Sequence, residues 1–179
     1  MEVVFVRHGV PDYSLSDARK MSQLEKDYAP LHRHQIHELH AVAEEIQLEK
    51  AEVIISSPYT RALQTAEIIN RQLGLELFVE HDLREWRADL EGGYLDLQER
   101  DRRWHEYRAS LKINAEPNNV PYESWIALRN RAKTVLSRYK HYSKIVVVSH
   151  FNVFESLVGY QDSGIGCGSY RLITVDKLG

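Results

Sequence analysis

The sequence predicts an α/β fold, a three-layer α/β/α sandwich around a largely parallel sheet. Three observations carry that expectation. Apolar runs rich in β-branched and aromatic residues at 2–6, 52–55, 75–79 and 145–148 are too short for core helices and read as strands. Segments with helical periodicity separate them, and strands alternating with helices build parallel sheets covered on both faces. At 179 residues, 43% hydrophobic and 27% charged, the chain suffices for one domain, 1–179, with a full core.

The first strand, Glu2–Val6, breaks at once into Arg7-His8-Gly9. Residues 10–30 hold Pro11, Asp12, Ser14, Ser16 and Pro30 without a sustained period and read as loop. From His32 to about Lys50, the residues Ile36, Leu39, Ala43 and Ile46 recur at helical spacing. This amphipathic helix also carries His32, His34, His37 and His40. Of these, His34 and His37 fall away from the apolar face, and no cysteine or carboxylate pair completes a metal site. After the strand at 52–55, Ser57 suits an N-cap and Pro58 the first helical position. The helix they open buries Ala62, Leu63, Ala66, Ile69 and Leu73, and Gly74 stops it.

A third strand at 75–79 leads to an acid-rich loop, His81–Gly93, containing Trp86. Gln98–Ser110 is charged, aromatic and helical in pattern, and lies within an insert at about 94–124. Pro117 and Pro121 break the chain before a helix from about Glu123 to Lys140. The most apolar strand, Ile145–Val148, ends in Ser149-His150. A short helix at 153–158 and a strand near 170–175 complete the pattern, with Trp86 and Trp125 expected in the core.

A net charge of −3 gives no global pull toward nucleic acid or an anionic membrane, so any anion site must be local. The single cysteine, Cys167, excludes an internal disulfide and fits a reducing, cytoplasmic setting. No run resembles a signal peptide or reaches the length of a membrane span.

The strand ends point to function. The strand at 2–6 ends in Arg7-His8, that at 52–55 leads within a helical turn to Arg61, and that at 145–148 ends in His150. In parallel strands these ends share one edge of the sheet, where open α/β folds place their ligands. Two arginines and two histidines converging there, beside a helix start, call for a dianion, and phosphate is the commonest.

These residues resemble the histidine phosphatase superfamily, the phosphoglycerate mutase-like or histidine acid phosphatase clan. The resemblance rests on Arg7-His8-Gly9, the run Ser56-Ser57-Pro58-Tyr59-Thr60-Arg61-Ala62-Leu63-Gln64-Thr65-Ala66, Leu83-Arg84-Glu85, and Val148-Ser149-His150, in that order. It implies a phosphohistidine mechanism. His8, held neutral by a backbone carbonyl on its other nitrogen, attacks phosphorus. Arg7, Arg61 and a cationic His150 bind the equatorial oxygens, and Glu85 exchanges a proton with the leaving group and then with water. Neither metal nor cofactor is implied.

Three stretches depart from the family pattern. Val10-Pro11-Asp12 lacks a usual threonine, for which Ser14 or Ser16 are the substitutes at hand. Leu31-His32 and Gln35 replace the usual opening of the next helix, and Phe151-Asn152 replace small residues. The insert, through Arg102, Arg103, Trp104 and Tyr107, is the expected source of substrate preference. The function this implies is metal-independent hydrolysis of a small phosphomonoester. A phosphoglycerate or phosphosugar mutase and a non-catalytic phospho-ligand binding module are the alternatives. Mutases of this kind carry larger inserts, and a binding module needs neither His8 nor Glu85.

Overall fold

The computed structural model describes residues 1–175. In chain order its elements are β1 (Glu2–Arg7), α1 (Ser14–Ala18), α2 (Gln23–Lys26), α3 (Gln35–Gln47), β2 (Val53–Ser56), α4 (Thr60–Leu73), β3 (Leu77–Val79) and a 3₁₀ turn (His81–Leu83). Then come α5 (Leu97–Lys112), α6 (Trp125–Arg138), β4 (Lys144–Ser149), α7 (Phe151–Val158) and β5 (Tyr170–Thr174). The five strands form one sheet in the order β3-β2-β4-β1-β5, in which only β5, at the edge beside β1, runs antiparallel.

Alternation along the strands builds the three layers. Val4 and Val6 of β1, Ile54 of β2 and Val146 and Val148 of β4 pack beneath Ala43 and Ile46 of α3 and Ala62, Ala66 and Ile69 of α4. Their neighbours Val3, Phe5, Val53, Ile55, Ile145 and Val147 face the other way, against Tyr107 and Leu111 of α5, Leu128 and Val135 of α6, and Val153 and Phe154 of α7. A strand buried on both faces has no polar side, which is why the central runs are continuously apolar. Among the described residues no helix is long and apolar enough to cross a membrane.

Several boundaries differ from expectation for local reasons. Residues 10–30 are more than loop: Ser22 and Glu25 form a reciprocal capping box that starts α2, and Lys26 pairs with Asp17 of α1 at 2.9 Å. The helix expected from His32 begins at Gln35, because Leu31 pairs with Pro11 in an isolated bridge and its N–H donates to Gln64 Oε1 at 2.8 Å. Ile36 is on its outer side, 38% exposed, and Gln35 is buried instead. The expected cap at Ser57 is also displaced. The Ser57 N–H still bonds Val148 O in the manner of the sheet, its hydroxyl is engaged by His150, and α4 starts two residues later after Tyr59. Pro58 therefore precedes the cap. Gly74 ends α4 in a left-handed conformation (φ 63°), as its sequence position predicts. Asp96 and Ser124 cap α5 and α6 through Glu99 N and Ala127 N.

Candidate active site

Strand register brings the cluster together. β1 and β4 pair with Arg7 opposite Ser149, β2 and β4 with Ser56 opposite Val148, and His8 N–H donates to Ser149 O at 3.0 Å. Arg7-His8, Ser57 and His150 thus leave the sheet at one edge. Arg61 enters from the first turn of α4.

His8 is buried, and its Nδ1 lies 2.7 Å from Gly9 O. A carbonyl only accepts, so Nδ1 carries the proton and Nε2 presents its lone pair. That lone pair receives Arg61 Nε–H at 3.2 Å. The His8 and His150 rings meet edge-on with centroids 5.0 Å apart, and His150 Nε2 lies 2.7 Å from Ser57 Oγ. The Tyr59 ring lies edge-on to His150 at 5.2 Å and has the Arg61 guanidinium 4.9 Å over its face. Arg7 donates to Ile165 O at 2.8 Å and stacks 5.1 Å over the Phe151 ring. The Phe151 ring fills the space beside Gly164, where a Cβ would lie 2.2 Å from it and the backbone φ is 58°.

Four buried side-chain nitrogens lack a hydrogen-bond partner among the described residues, and three are Arg7 Nε, Arg61 Nη1 and His150 Nδ1. Unpaired buried polar atoms are disfavoured by about 1–3 kcal/mol each, so two guanidinium donors and a ring nitrogen left unpaired in one cluster mark a place for an anion.

Electrostatics follow from that crowding of cations. Burial first, then Arg61, hold the His8 pKa well below the ordinary imidazole value. His150 is lowered likewise by burial, then by Arg61 and His8. Burial and the surrounding guanidinium groups thus disfavour the cationic form that the resemblance implies for His150. Glu85 moves the opposite way. Burial raises its pKa, against the opposing pull of the Trp86 N–H (2.8 Å to Oε1), Arg61 and Arg7.

A cleft of about 460 Å³ borders the cluster; Arg7, Arg61 and Glu85 line it, whereas the buried His8 and His150 do not. Of the acids near Glu85, Glu80 bonds Arg138 and Tyr139, Asp82 bonds Arg84 and Asp89 bonds Arg103. None of them lines the cleft. Tyr13, Gln23 and Lys26 form one outer wall, and Arg100, Asp101 and Trp104 of α5 the other.

The insert residues only partly meet expectation. Trp104 lines the cleft and donates to Asn152 Oδ1 at 3.0 Å. Arg102 points to solvent and pairs with Glu99 and Glu106. Arg103 is held by Glu99, Asp89 and Ala88 O, and Tyr107 is fully buried in the core. These three stand off the cleft because α5 turns its Tyr107–Leu111 stripe to the sheet. The same stripe, continued back through Trp104 to Arg100 at helical spacing, is the signal that could have located Arg100. Ser14 and Ser16 do not line the cleft either; Ser14 N–H bonds Asp12, the Ser16 hydroxyl donates to Tyr13 O, and Tyr13 occupies the wall. At the Val10 departure, the backbone N–H donates to Gln35 Oε1 at 3.1 Å. Trp125 lies in the core as expected, whereas Trp86 is both buried and cleft-lining. Among the described residues no three His, Cys, Asp or Glu side chains come together as metal ligands.

The α5 wall is anchored by Arg108. It grips the fully buried Glu155 of α7 through two bonds (2.7 and 3.0 Å) and lies 4.5–5.3 Å over the rings of Tyr160, Trp104 and Phe151. Arg108→Ala strands a buried carboxylate, so we expect a loss of about 3–5 kcal/mol, read as a lowered urea midpoint. Glu155→Gln, which removes the charge as well, lowers it less.

An unprotonated ring nitrogen, unpaired guanidinium donors and a buried acid thus come together beside one cleft. The chain belongs to the histidine phosphatase superfamily (branch 1), whose family pattern matches residues 3–177. It is 28% identical to a protein of Hydrogenobacter thermophilus provisionally named phosphoserine phosphatase 2, over 97% of this chain and 84% of that one. Its fold is similar to a mycobacterial glucosyl-3-phosphoglycerate phosphatase in complex with VO3 (TM-score 0.71, 20% identity, 97% of this chain and 90% of that one). A similar likeness holds for YhfR of Bacillus stearothermophilus (0.71, 18%, 98% and 91%).

Proposed function

We propose that this protein is a metal-independent phosphatase that hydrolyses a small phosphomonoester through a phosphohistidine on His8. The observation that carries the reading is the tautomer: Gly9 O fixes the proton on Nδ1, so Nε2 is unprotonated and directs its lone pair at the Arg61 guanidinium. When a phosphate group enters, its oxygens take the N–H groups of Arg7 and Arg61, and the lone pair of His8 is released from Arg61. The dianion also reverses the charge around His150, which takes up a proton and becomes the third donor. His8 Nε2 then forms the N–P bond as the ester P–O bond breaks, and Glu85 gives its proton to the departing alkoxide. Water attacks the phosphohistidine, Glu85 takes back a proton, the N–P bond breaks, and phosphate leaves His8 neutral. Arginines supply the positive charge that a metal supplies in other phosphatases. Hydrolysis suits the modest insert, whose one helix covers only a single wall of the cleft.

Lys26 and Arg100 on the outer walls favour a substrate with a second anionic group. Once phosphate has engaged Arg7 and Arg61, these are the remaining cleft-lining cations, opposed there by Asp101 alone while Glu85 holds its proton. Each has an exchangeable carboxylate neighbour, Asp17 at 2.9 Å and Asp101 at 3.7 Å. A carboxylate on the leaving group fits, as in the phosphoserine of the Hydrogenobacter relative's name. A cytoplasmic setting accords with the unpaired Cys167.

The test is turnover of p-nitrophenyl phosphate with and without EDTA, then of phosphomonoesters with and without a carboxylate. Activity that survives EDTA and favours the carboxylated esters supports the reading, and activity that needs an added divalent metal contradicts it. The pH profile of kcat/KM supplies a further prediction. His8 must be unprotonated, so activity rises with pH through its lowered pKa, placing the acid limb below 6.5. Glu85 must be protonated, so activity falls as pH passes its raised pKa, placing the alkaline limb above 4.5. Glu85→Gln removes the Glu85 share of that fall and leaves the share set by proton uptake at His150.

A further inference from the structure

Glu85 lies in irregular backbone beyond the 3₁₀ turn, yet that backbone is held at nearly every residue. Arg131 of α6 donates Nη1 to Asp82 O (2.6 Å) and Arg84 O (2.7 Å), and Nη2 to Glu85 O (3.1 Å). Its Nε and Nη2 also bond the two carboxylate oxygens of Glu123, at 2.7 and 2.8 Å. Glu123 closes the circuit: its Oε2 accepts Arg87 N–H at 3.3 Å and its carbonyl accepts the Trp86 indole N–H at 2.7 Å. Both charged side chains are nearly buried, 11% and 8% exposed.

A buried ion pair is weak evidence of a stabilising role, since apolar residues of similar volume often serve as well. What apolar residues cannot do is fix three carbonyls at once. A guanidinium with five donors in a rigid fork does so, and an ammonium does not. The three carbonyls belong to the residues that lead into and include Glu85. We propose that Arg131, itself oriented by Glu123, is a positioning residue that aims the Glu85 carboxyl at the leaving oxygen. This inference rests on Glu85 being the proton donor of the proposed function.

Leaving-group chemistry separates that role from a merely structural one. p-Nitrophenolate departs without a proton, whereas an alkoxide needs one. Because kcat/KM reports only the steps through transfer to His8, the later water attack does not blur the comparison. The experiment measures kcat/KM for p-nitrophenyl phosphate and glycerol 2-phosphate in wild type, Arg131→Met, Arg131→Lys, Glu123→Gln and Glu85→Gln. The lysine and glutamine variants carry the test if Arg131→Met does not fold.

The expected result is a fall of about 10²-fold for the alkyl ester in Arg131→Met, from a misplacement of about 1 Å, with less than roughly fivefold for the aryl ester. Arg131→Lys gives little rescue, and adding Arg131→Met to Glu85→Gln lowers the alkyl rate no further. If Glu85→Gln lowers the alkyl-to-aryl ratio but the Arg131 and Glu123 variants lower both substrates equally, the positioning role is overturned and the acid role stands. If Glu85→Gln leaves the ratio unchanged, the acid role falls, and the positioning role with it.

Discussion

His8→Ala lowers kcat/KM for every phosphomonoester by on the order of 10⁴-fold or more, because no other base reaches phosphorus in this pocket. His150 is the only other imidazole in the cluster; its Nε2 is committed to Ser57, and in the protonated form in which it binds phosphate its Nδ1 has no lone pair. Ser57 itself bonds both that ring and Tyr59 N–H, so its hydroxyl is no substitute nucleophile. Small-molecule imidazole fits the volume the deletion leaves and restores part of the rate. Steady-state hydrolysis of p-nitrophenyl phosphate, with and without imidazole, checks both statements. A variant that retains wild-type turnover would place the chemistry elsewhere.

Arg61→Ala has the next largest effect, a fall in kcat/KM of about 10³-fold or more, because one guanidinium does three things. Its free Nη1 awaits a phosphate oxygen, its Nε addresses the His8 lone pair, and its charge lowers the pKa of both histidines. The last point fixes a sign. Without that positive charge His8 holds its proton to higher pH, so the acid limb of the pH profile moves up toward 6.5. Arg61→Lys keeps a charge but loses the planar fork, and restores the position of the limb better than it restores the rate. Rate against pH for the three proteins separates these contributions; a limb that stays in place in Arg61→Ala would contradict the electrostatic assignment.

The sheet was legible in the sequence because a parallel strand buried on both faces must be continuously apolar, as Ile145–Val148 is. The convergence of Arg7, His8, Arg61 and His150 was legible for a related reason: parallel register sends every strand's C-terminal end to the same edge. Helix faces with weak amphipathicity were not. α5 carries charge on nearly every side, and its orientation is set by long-range partners, Arg108 reaching Glu155 forty-seven residues away and Tyr107 docking beneath the sheet. Arg102 and Arg103 were therefore singled out, although of the three arginines it is Arg100 that lines the cleft. The wall made by Tyr13, Gln23 and Lys26 was hidden in a stretch with no period, since α1 and α2 are too short to show one. The clamp of Arg131 and Glu123 on the Glu85 backbone left no local pattern either, because carbonyl acceptors have no sequence signature.

The central claim is a covalent phosphoryl group on His8. It is tested most directly by quenching the protein in alkali within one turnover of p-nitrophenyl phosphate and locating the label by peptide mass spectrometry. The account predicts one phosphoryl group on the peptide carrying His8, stable in base, lost on brief acid treatment, and absent in His8→Ala. Full turnover with no trapped phosphoryl group, or an acid-stable group on Ser57 or another residue, would contradict it.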